Sequence, residues 1–564
     1  MEHWRATALA PFKSRIFLAI WTASLVSNFG SLIQAVGASW LMTSIAPSPD
    51  MVALVQASTT LPIMLLSLPA GAIADIWDRR VIMLIAQSVM LTVSIVLAVV
   101  AYFGHMTPWT LLSLTFLLSC GTALYGPAWQ SSVGEQVPRA DVPAAVSLNS
   151  LSFNLARTAG PAIGGLIVAT AGPPAAFLVN ATTYIGLMVV LANWRRKVPA
   201  LTLPPESMGT AIFAGIRYTR LSPAIRTVLV RGFFFGLMGS AIWALMPLIA
   251  RDLLQGGALT YGMLFGAFGV GAVGGALMST TIRQRVTSET IITVASVVFG
   301  LMAVGISFSE WMVLTMAMLL LSGASWVLAL STLNITVQTS APRWVVGRAV
   351  AIYQMVTFGG LAAGSWMFGE LAESHGISRS LMIAGAAMTV SAALGLLMRL
   401  EQPGGMNLDP LRTTPVPPDM SAEVVPQSGP VVITVQYQIA PEDRDAFMFA
   451  MREMRRIRRR DGARRWTLLQ DIDDPRLWTE RFQSPTWLEY LRQRQRFTVA
   501  DREAALRVRA FHRGEEPPKI HHMLERTPTA ASSQKSEAEQ ISERASVVDP
   551  NLPPAAMPDA RPKS

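Results

Sequence analysis

The 564-residue sequence is poor in charge: Asp, Glu, Lys and Arg make up 15% of it, where about 25% is usual for a soluble globular chain. It holds one cysteine, Cys120, inside an apolar run, so no intrachain disulfide can staple an extracellular fold. No G-x-x-x-x-G-K-(S/T) loop is present, which excludes a pump driven by ATP through a P-loop. The apolar segments carry no nucleophile–base pair and no set of metal ligands, which argues against a membrane-embedded enzyme. No catalytic residue, cofactor or metal site is expected.

The shortage of charge is local. Residues 1–400 contain 21 Lys/Arg and 12 Asp/Glu, whereas residues 401–564 contain 25 and 24. With 51% apolar residues and a mean hydropathy of +0.40 for the whole chain, the first part reads as a membrane body and the last part as aqueous. A span needs roughly 20 apolar residues. Twelve candidates fall near 16–44, 51–74, 81–103, 109–132, 143–170, 174–194, 226–250, 259–282, 290–308, 311–337, 347–373 and 379–399. The run after Lys13 and Arg15 continues for about thirty residues, so it reads as a first span and not as a cleavable signal.

Loop charge sets the expected orientation. With the N-terminus inside, the inner segments hold seventeen basic residues, among them Arg79, Arg80, Arg139, Arg283 and Arg343, and the outer loops hold Arg251 and Arg379. That asymmetry places both termini in the cytoplasm.

The apolar region also repeats itself. Gly71, Arg79, Pro138, Ala145, Gly160, Gly165 and Gly172 return as Gly275, Arg283, Pro342, Ala349, Gly364, Gly369 and Gly376, all at an offset of 204. Matches at one offset over a hundred residues predict two homologous halves, the plan of many secondary transporters. The expected organisation is an N-terminal six-helix bundle (1–195), an inter-bundle loop (196–225), a C-terminal six-helix bundle (226–400), a linker (401–428), an aqueous unit (429–526) and a disordered tail (527–564).

Gly71-Ala-Ile-Ala-Asp75-Ile-Trp-Asp78-Arg79-Arg80 follows the second span. It resembles the loop motif G-x-x-x-D-(R/K)-x-G-(R/K)-(R/K) of the major facilitator superfamily, with Gly71, Asp75, Arg79 and Arg80 matching and Ile76 and Asp78 departing. The resemblance implies a latch in which Asp75 pairs with arginines or helix dipoles of the opposite half. An ordinary basic loop is the other reading. In the second half Ser279 stands where Asp75 stands, so the charge latch is expected mainly in the first.

Gly160-Pro161-Ala-Ile-Gly164-Gly165 in the fifth span is similar to the G-P-x-x-G-G core of the superfamily's proton-coupled exporters. Proline bends the helix and glycine lets helices approach, so the segment either seals one end of a cavity or simply packs. Arg157, one turn earlier, is a charge near the middle of a span; it faces a cavity or snorkels. Glu370 and Glu373, on one face of the eleventh span, are expected either as proton carriers or as a solvated rim. Asn28, Gln34, Gln130, Asn149, Asn154 and Tyr353 are candidate substrate-cavity residues, with interhelical bridging as the equal alternative.

The first span, the Pro62–Pro69 region and the Asn154–Gly165 segment together resemble the enterobactin-exporter-like branch, the transmembrane secretion effectors, over about residues 10–400. That resemblance implies export of a small molecule (a siderophore, a drug or another lipophilic compound) in exchange for protons across the bacterial inner membrane.

Beyond residue 428 a βαββαβ order is predicted: a strand at 431–439, a helix to about Arg460, strands near 464–471 and 477–482, a helix over 485–511 and a strand at 519–525. This resembles small ferredoxin-like domains of the antibiotic-biosynthesis monooxygenase group. His512, His521 and His522 are expected on the surface, and Trp466, Trp478 and Trp487 in a core or self-association interface. The arginine run from Arg452 to Arg465 touches an anionic leaflet or is a solvated face; nucleic acid is not an expected partner.

The expected fold is thus an all-α membrane body of twelve helices in two pseudo-repeats with a small α+β unit. The expected function is secondary active transport, proton-coupled export of a small molecule by alternating access. The alternative is a monooxygenase-like or ligand-sensing unit for which the helical body is an anchor.

Overall fold

The computed structural model describes residues 9–138, 141–194, 208–342, 344–400, 407–408 and 424–526, and the side chains of Asp75, Ile76, Pro143, Met208 and Ala211 lie outside the description. Most of the expected linker and the whole of the expected tail also lie outside it. The chain divides into two compact units, residues 1–411 with 498–500, and residues 412–497 with 501–564.

The first unit is helical. Its N-terminal part contains α1 (Arg15–Ile45), α2 (Pro49–Ile76), α3 (Arg79–Tyr102), α4 (Pro108–Gln136) and α5 (Val142–Asn193). After α6 (Met208–Leu221) come α7 (Pro223–Leu248), α8 (Ala258–Arg285), α9 (Ser288–Ser307), α10 (Met312–Thr339), α11 (Val346–His375), α12 (Ile377–Ser391) and the short α13 (Leu394–Leu397). Local chemistry fixes several starts: Ser14, Asp78, Thr107 and Thr287 each accept a backbone N–H from the first turn that follows.

Among the described residues eleven helices are long and apolar enough to cross a bilayer. Their outward faces are apolar too. On α3, Val81, Ile85, Val89, Val96 and Val99 are exposed, opposite a buried stripe of Ile82, Met83, Ala86, Met90, Val93 and Leu97. Water would reject such a surface; lipid accepts it.

The fifth and sixth expected spans form one 52-residue element, α5, which contains two helices meeting at a kink. A straight helix of that length would reach about 78 Å, far beyond a hydrocarbon core of about 30 Å. The bend is at Gly172, with φ 79° and ψ 168°. Gly376, its repeat partner, has φ 88° and ψ 156° between α11 and α12. Only glycine adopts this backbone readily, so both halves turn on the same residue type at the same place in the repeat.

The expected loop over 196–225 contains a helix. In α6 the buried Ala214 and Tyr218 sit four apart, the spacing of one helical face.

The second unit has strands β1 (Val431–Gln438), β2 (Arg464–Gln470), β3 (Leu477–Ser484) and β4 (Lys519–Leu524). They form an antiparallel sheet in the order β2-β3-β1-β4. Helix α14 (Arg444–Asp461) joins β1 to β2; α15 (Trp487–Arg496) and α16 (Val499–Arg509) join β3 to β4. The single helix expected over 485–511 is therefore two, broken at Phe497-Thr498, where an aromatic and a β-branched residue disfavour helix. Val431, Ile433, Val435 and Tyr437 alternate into the core with Phe447, Met451, Met454 and Trp478.

Candidate functional site

Two helix pairs join the halves of the first unit: α2 with α11, and α5 with α8. Glycine makes both seams. A Cβ on Gly165 would stand 2.8 Å from the Ala258 carbonyl oxygen and 2.9 Å from Gly262 Cα. A Cβ on Gly369, the repeat partner of Gly165, would stand 2.6 Å from Ala53 Cβ and 3.1 Å from Asp50 Cα. Gly160 and Gly364 face their own halves instead, against Leu32 of α1 and Leu237 of α7. Gly164 packs on Ile33 of α1, where an added Cβ would lie 3.0 Å from Ile33 Cα. Each half thus carries a glycine for internal packing (Gly160, Gly364) and, five residues on, one for the seam (Gly165, Gly369), and the first half adds Gly164 to its internal packing.

The same end of the body carries a further set of cross-half contacts. Trp40 of α1 and Tyr261 of α8 stack at 6.4 Å with an interplanar angle of 19°. Arg251, in the π-helical turn Ile249–Leu253 that follows α7, donates to the Thr43 carbonyl while pairing with Asp252 at 2.6 Å. Asp50, Glu370 and Glu373 also meet at this end, with carboxylate oxygens all within 4.8 Å of one another. These are the described residues that could hold a cation; all three are half-buried or exposed. The opposite end carries Arg79, Arg80 and Arg283 and is called the basic end below.

There the motif arginines serve their own half. Arg79 Nη1 pairs with Glu135 Oε1 of α4 at 2.7 Å and donates to the Ser131 carbonyl at 2.9 Å. Arg80 Nε donates to the Leu191 carbonyl at 2.9 Å, and its Nη2 to that of Ala192. Both carbonyls lie in the last turn of α5, where the helix has too few donors of its own; that of Leu191 also accepts from Trp194 N at 3.2 Å. Asp78, where the family motif has glycine, caps α3 by accepting from Arg80 N at 2.8 Å. The side chain of Asp75, the expected partner across the halves, lies outside the described residues; Gly71 is in open space. In the second half Arg283 donates to the hydroxyls of Ser279 at 3.0 Å and Ser331 at 3.4 Å, so its latch is uncharged.

Arg157 lies in α5 with its guanidinium carbon 5.5 Å from the centroid of the Trp243 ring of α7. Its backbone carbonyl faces Gly269 of α8, where a Cβ would collide with the oxygen. Pro161, four residues on, has no N–H to offer that carbonyl.

The polar candidates separate. Gln34 is buried: its Oε1 accepts from Ser94 Oγ at 2.7 Å and Asn180 Nδ2 at 2.5 Å, tying α1 to α3 and α5. Tyr353 is buried too and donates to the Leu330 carbonyl at 3.2 Å. Of the two readings expected for these residues, cavity lining or interhelical bridging, both contacts are of the bridging kind. Asn28 donates to Ser152 Oγ at 3.4 Å, and Asn154 folds back onto the Ser150 carbonyl at 2.9 Å. Asn149 is half-buried. Gln130 is exposed on α4 between Gly126 and Gly134, where added Cβ atoms would meet nothing within 4 Å.

Sequence reading missed Glu135, Asp50, and the pair Arg231–Glu289. Arg231 Nη1 bonds both Glu289 carboxylate oxygens, at 2.7 and 2.6 Å, and Glu289 also accepts from Leu400 N at 3.0 Å. A signal was available: each is a charge within or beside an apolar run, where a partner is the default.

In the second unit the histidines are separate. His512 accepts from Gln438 N at 2.9 Å and meets the Glu516 carbonyl at 2.8 Å, pinning a loop. His522 bonds Tyr490 at 2.6 Å, and His521 is exposed. Glu480 is fully buried, held by Arg458 at 3.1 Å and Trp466 Nε1 at 2.9 Å. Part of the arginine run is thus internal pairing.

Two helical halves joined along two pseudo-equivalent seams define a secondary-transporter architecture. The chain overlays the nucleoside transporter NupG with a TM-score of 0.52 and 12% identity, over 68% of this chain and 98% of that one. It overlays a bacterial homologue of the human lysosomal transporter Spinster, in an inward-facing unoccupied conformation, with a TM-score of 0.55 and 12% identity, over 69% and 97%. Residues 6–529 match the transmembrane secretion effector family of major facilitator transporters, and the chain belongs to that family. It is a multi-pass membrane transporter, not an enzyme. Relatives include the staphyloferrin A transporter of Staphylococcus aureus, 23% identical over 64% of this chain and 91% of that one. The multidrug efflux pump Tap of Mycobacterium tuberculosis is 24% identical over 64% and 88%. The enterobactin exporter EntS of Escherichia coli O127:H6 is 26% identical over 59% and 79%.

Proposed function

We propose that the protein is a proton-coupled exporter of a small molecule, siderophore-like, drug-like or otherwise lipophilic, working by alternating access. The observation that carries this reading is the doubled seam: Gly165 on Gly262 and Gly369 on Ala53 close one end of the body through equivalent positions of the repeat. Rocking about such seams exposes a central path to either side in turn. Relatives named as exporter and efflux pump support the direction.

In this reading the membrane body has twelve crossings, because the turn at Gly172 repeats the one at Gly376, which separates two helices. The basic end is cytoplasmic, as loop charge requires. Arg79 and Arg80 set the gating geometry of the first half by holding α4 and α5 to the loop motif, and Asp75 completes the latch. Glu370 and Glu373, beside Asp50 at the closed end, are the coupling carboxylates: three such groups pack together more readily when protonated. Arg157 supplies a fixed positive charge, and Gln130, Asn149, Asn154 and Asn28 line the path. The second unit is ferredoxin-like by its strand order and serves self-association, since β2 and β4 are unpaired edges and Leu469 and Met523 are exposed on the sheet.

A substrate-accumulation screen in reconstituted vesicles with an imposed pH gradient tests the reading. Gradient-dependent movement of at least one compound is expected; movement indifferent to the gradient removes the proton coupling.

A further inference from the structure

We propose that Arg157 and Trp243 together form the docking point for a negatively charged group on the transported molecule, which makes the substrate class an organic anion. This rests on the exporter reading and adds what that reading leaves open, the charge of the cargo.

The argument begins with an unbalanced charge. An arginine side chain stays protonated in any protein environment. Held in the middle of an apolar body, its charge costs several kcal/mol unless an anion or water compensates it. Three other arginines in the long helices show one way this protein answers that cost. Arg231 has Glu289, Arg79 has Glu135, and Arg283 has two hydroxyls. Arg157 has no such partner among the described residues: its one described side-chain contact is the face of the Trp243 ring.

The repeat supplies an internal control. The position equivalent to Arg157 in the second half, 204 residues on, is Leu361, which is buried at 3% exposure. A helix in this setting packs without a charge there, so packing alone does not account for the arginine.

Trp243 adds a second donor. Its indole N–H is buried and has no hydrogen-bond partner among the described residues. Its ring is held by Phe268 at 4.8 Å and Phe265 at 5.3 Å, so the N–H points where packing puts it. A guanidinium over the Trp243 ring and a buried indole N–H on that same side chain, neither matched to a described acceptor, are two donors complementary to a carboxylate or similar oxyanion. A cation would meet like charge there, and a neutral molecule would leave the guanidinium uncompensated.

The test compares two probes of the same shape, 2-naphthoate and 2-naphthamide, for equilibrium binding to the purified full-length chain. The wild type is expected to prefer the carboxylate by at least about tenfold. Arg157→Leu, which copies the second half, should abolish that preference, and Arg157→Lys should keep part of it. Equal affinities in the wild type, no binding of the naphthoate up to its solubility limit, or a preference that survives Arg157→Leu would each overturn the proposal. The wild-type comparison needs no variant, so misfolding of Arg157→Leu leaves the proposal open to refutation. The exporter reading is scored separately by efflux of the cationic dye ethidium and of 2-naphthoate from energised vesicles. Efflux of ethidium with no naphthoate preference sinks only the anion assignment; a naphthoate preference with no efflux of either compound sinks only the exporter reading.

Discussion

The carbonyl of Arg157 meets Gly269 across the seam between the halves, and the two residues fit only because of what each lacks. Pro161 leaves that carbonyl without its helical donor, and Gly269 has no side chain to block it. The missing donor frees a polar group, and the missing side chain lets the opposite helix close over it.

Gly269→Leu should hold this seam open. Insertion into the membrane is expected to be normal and transport to fall by about tenfold or more. Flux in reconstituted vesicles, compared at equal protein content, checks this. Unchanged flux would mean that closure of α5 on α8 is not needed.

At the basic end, Arg79→Gln and Glu135→Gln each break the same 2.7 Å pair. Both should lower transport several-fold, and the double variant should be no worse than either alone, because residues in one interaction are not additive. Additive losses would show that the two act apart.

Arg231→Gln leaves Glu289 without its cation. Breaking a fully buried pair typically costs about 3–5 kcal/mol; the Glu289 side chain is 25% exposed, so the cost is smaller and the thermal midpoint of the detergent-solubilised protein should drop by a few degrees. The Arg231→Leu, Glu289→Leu double variant should recover much of it. A drop unaffected by removing the second charge would place the cost elsewhere.

In the second unit, burial, with help from the nearby Arg494 and His521, holds the His522 imidazole below its ordinary protonation range. Its folded form therefore binds fewer protons than the unfolded form just below pH of about 6.5. Stability of this unit is present above that range and lost as the pH falls through it. Near-ultraviolet circular dichroism against pH should show the loss, and His522→Gln should flatten it.

How much of this was legible beforehand differs by feature. The repeat was written in single residues, and the structure gives those residues equivalent geometry: Gly172 with Gly376 in backbone angle, Gly165 with Gly369 at the seams. Spans follow from apolar length alone, so they were legible; the helix α6 was not, because its short apolar face lies in a segment rich in polar residues. Polar side chains were the hardest to place. Gln34 and Gln130 look alike in sequence, but one is buried in a three-helix network and the other is exposed between two bare glycines. Which face of a helix meets a cavity depends on its neighbours, and a single helix does not record them. Charged partners were missed for a related reason: Arg231 and Glu289 are 58 residues apart, joined only by the packing of α7 on α9.

The central claim is that the halves must part at the α5–α8 seam in every cycle. It is tested most directly by Ala162→Cys, Gly266→Cys, whose Cβ atoms would stand 3.8 Å apart, a separation a disulfide spans, in a Cys120→Ser background, the native chain having that one cysteine to remove. Oxidation should join the two helices and arrest transport, and reduction should restore it. Transport that continues with the seam covalently closed would contradict the account.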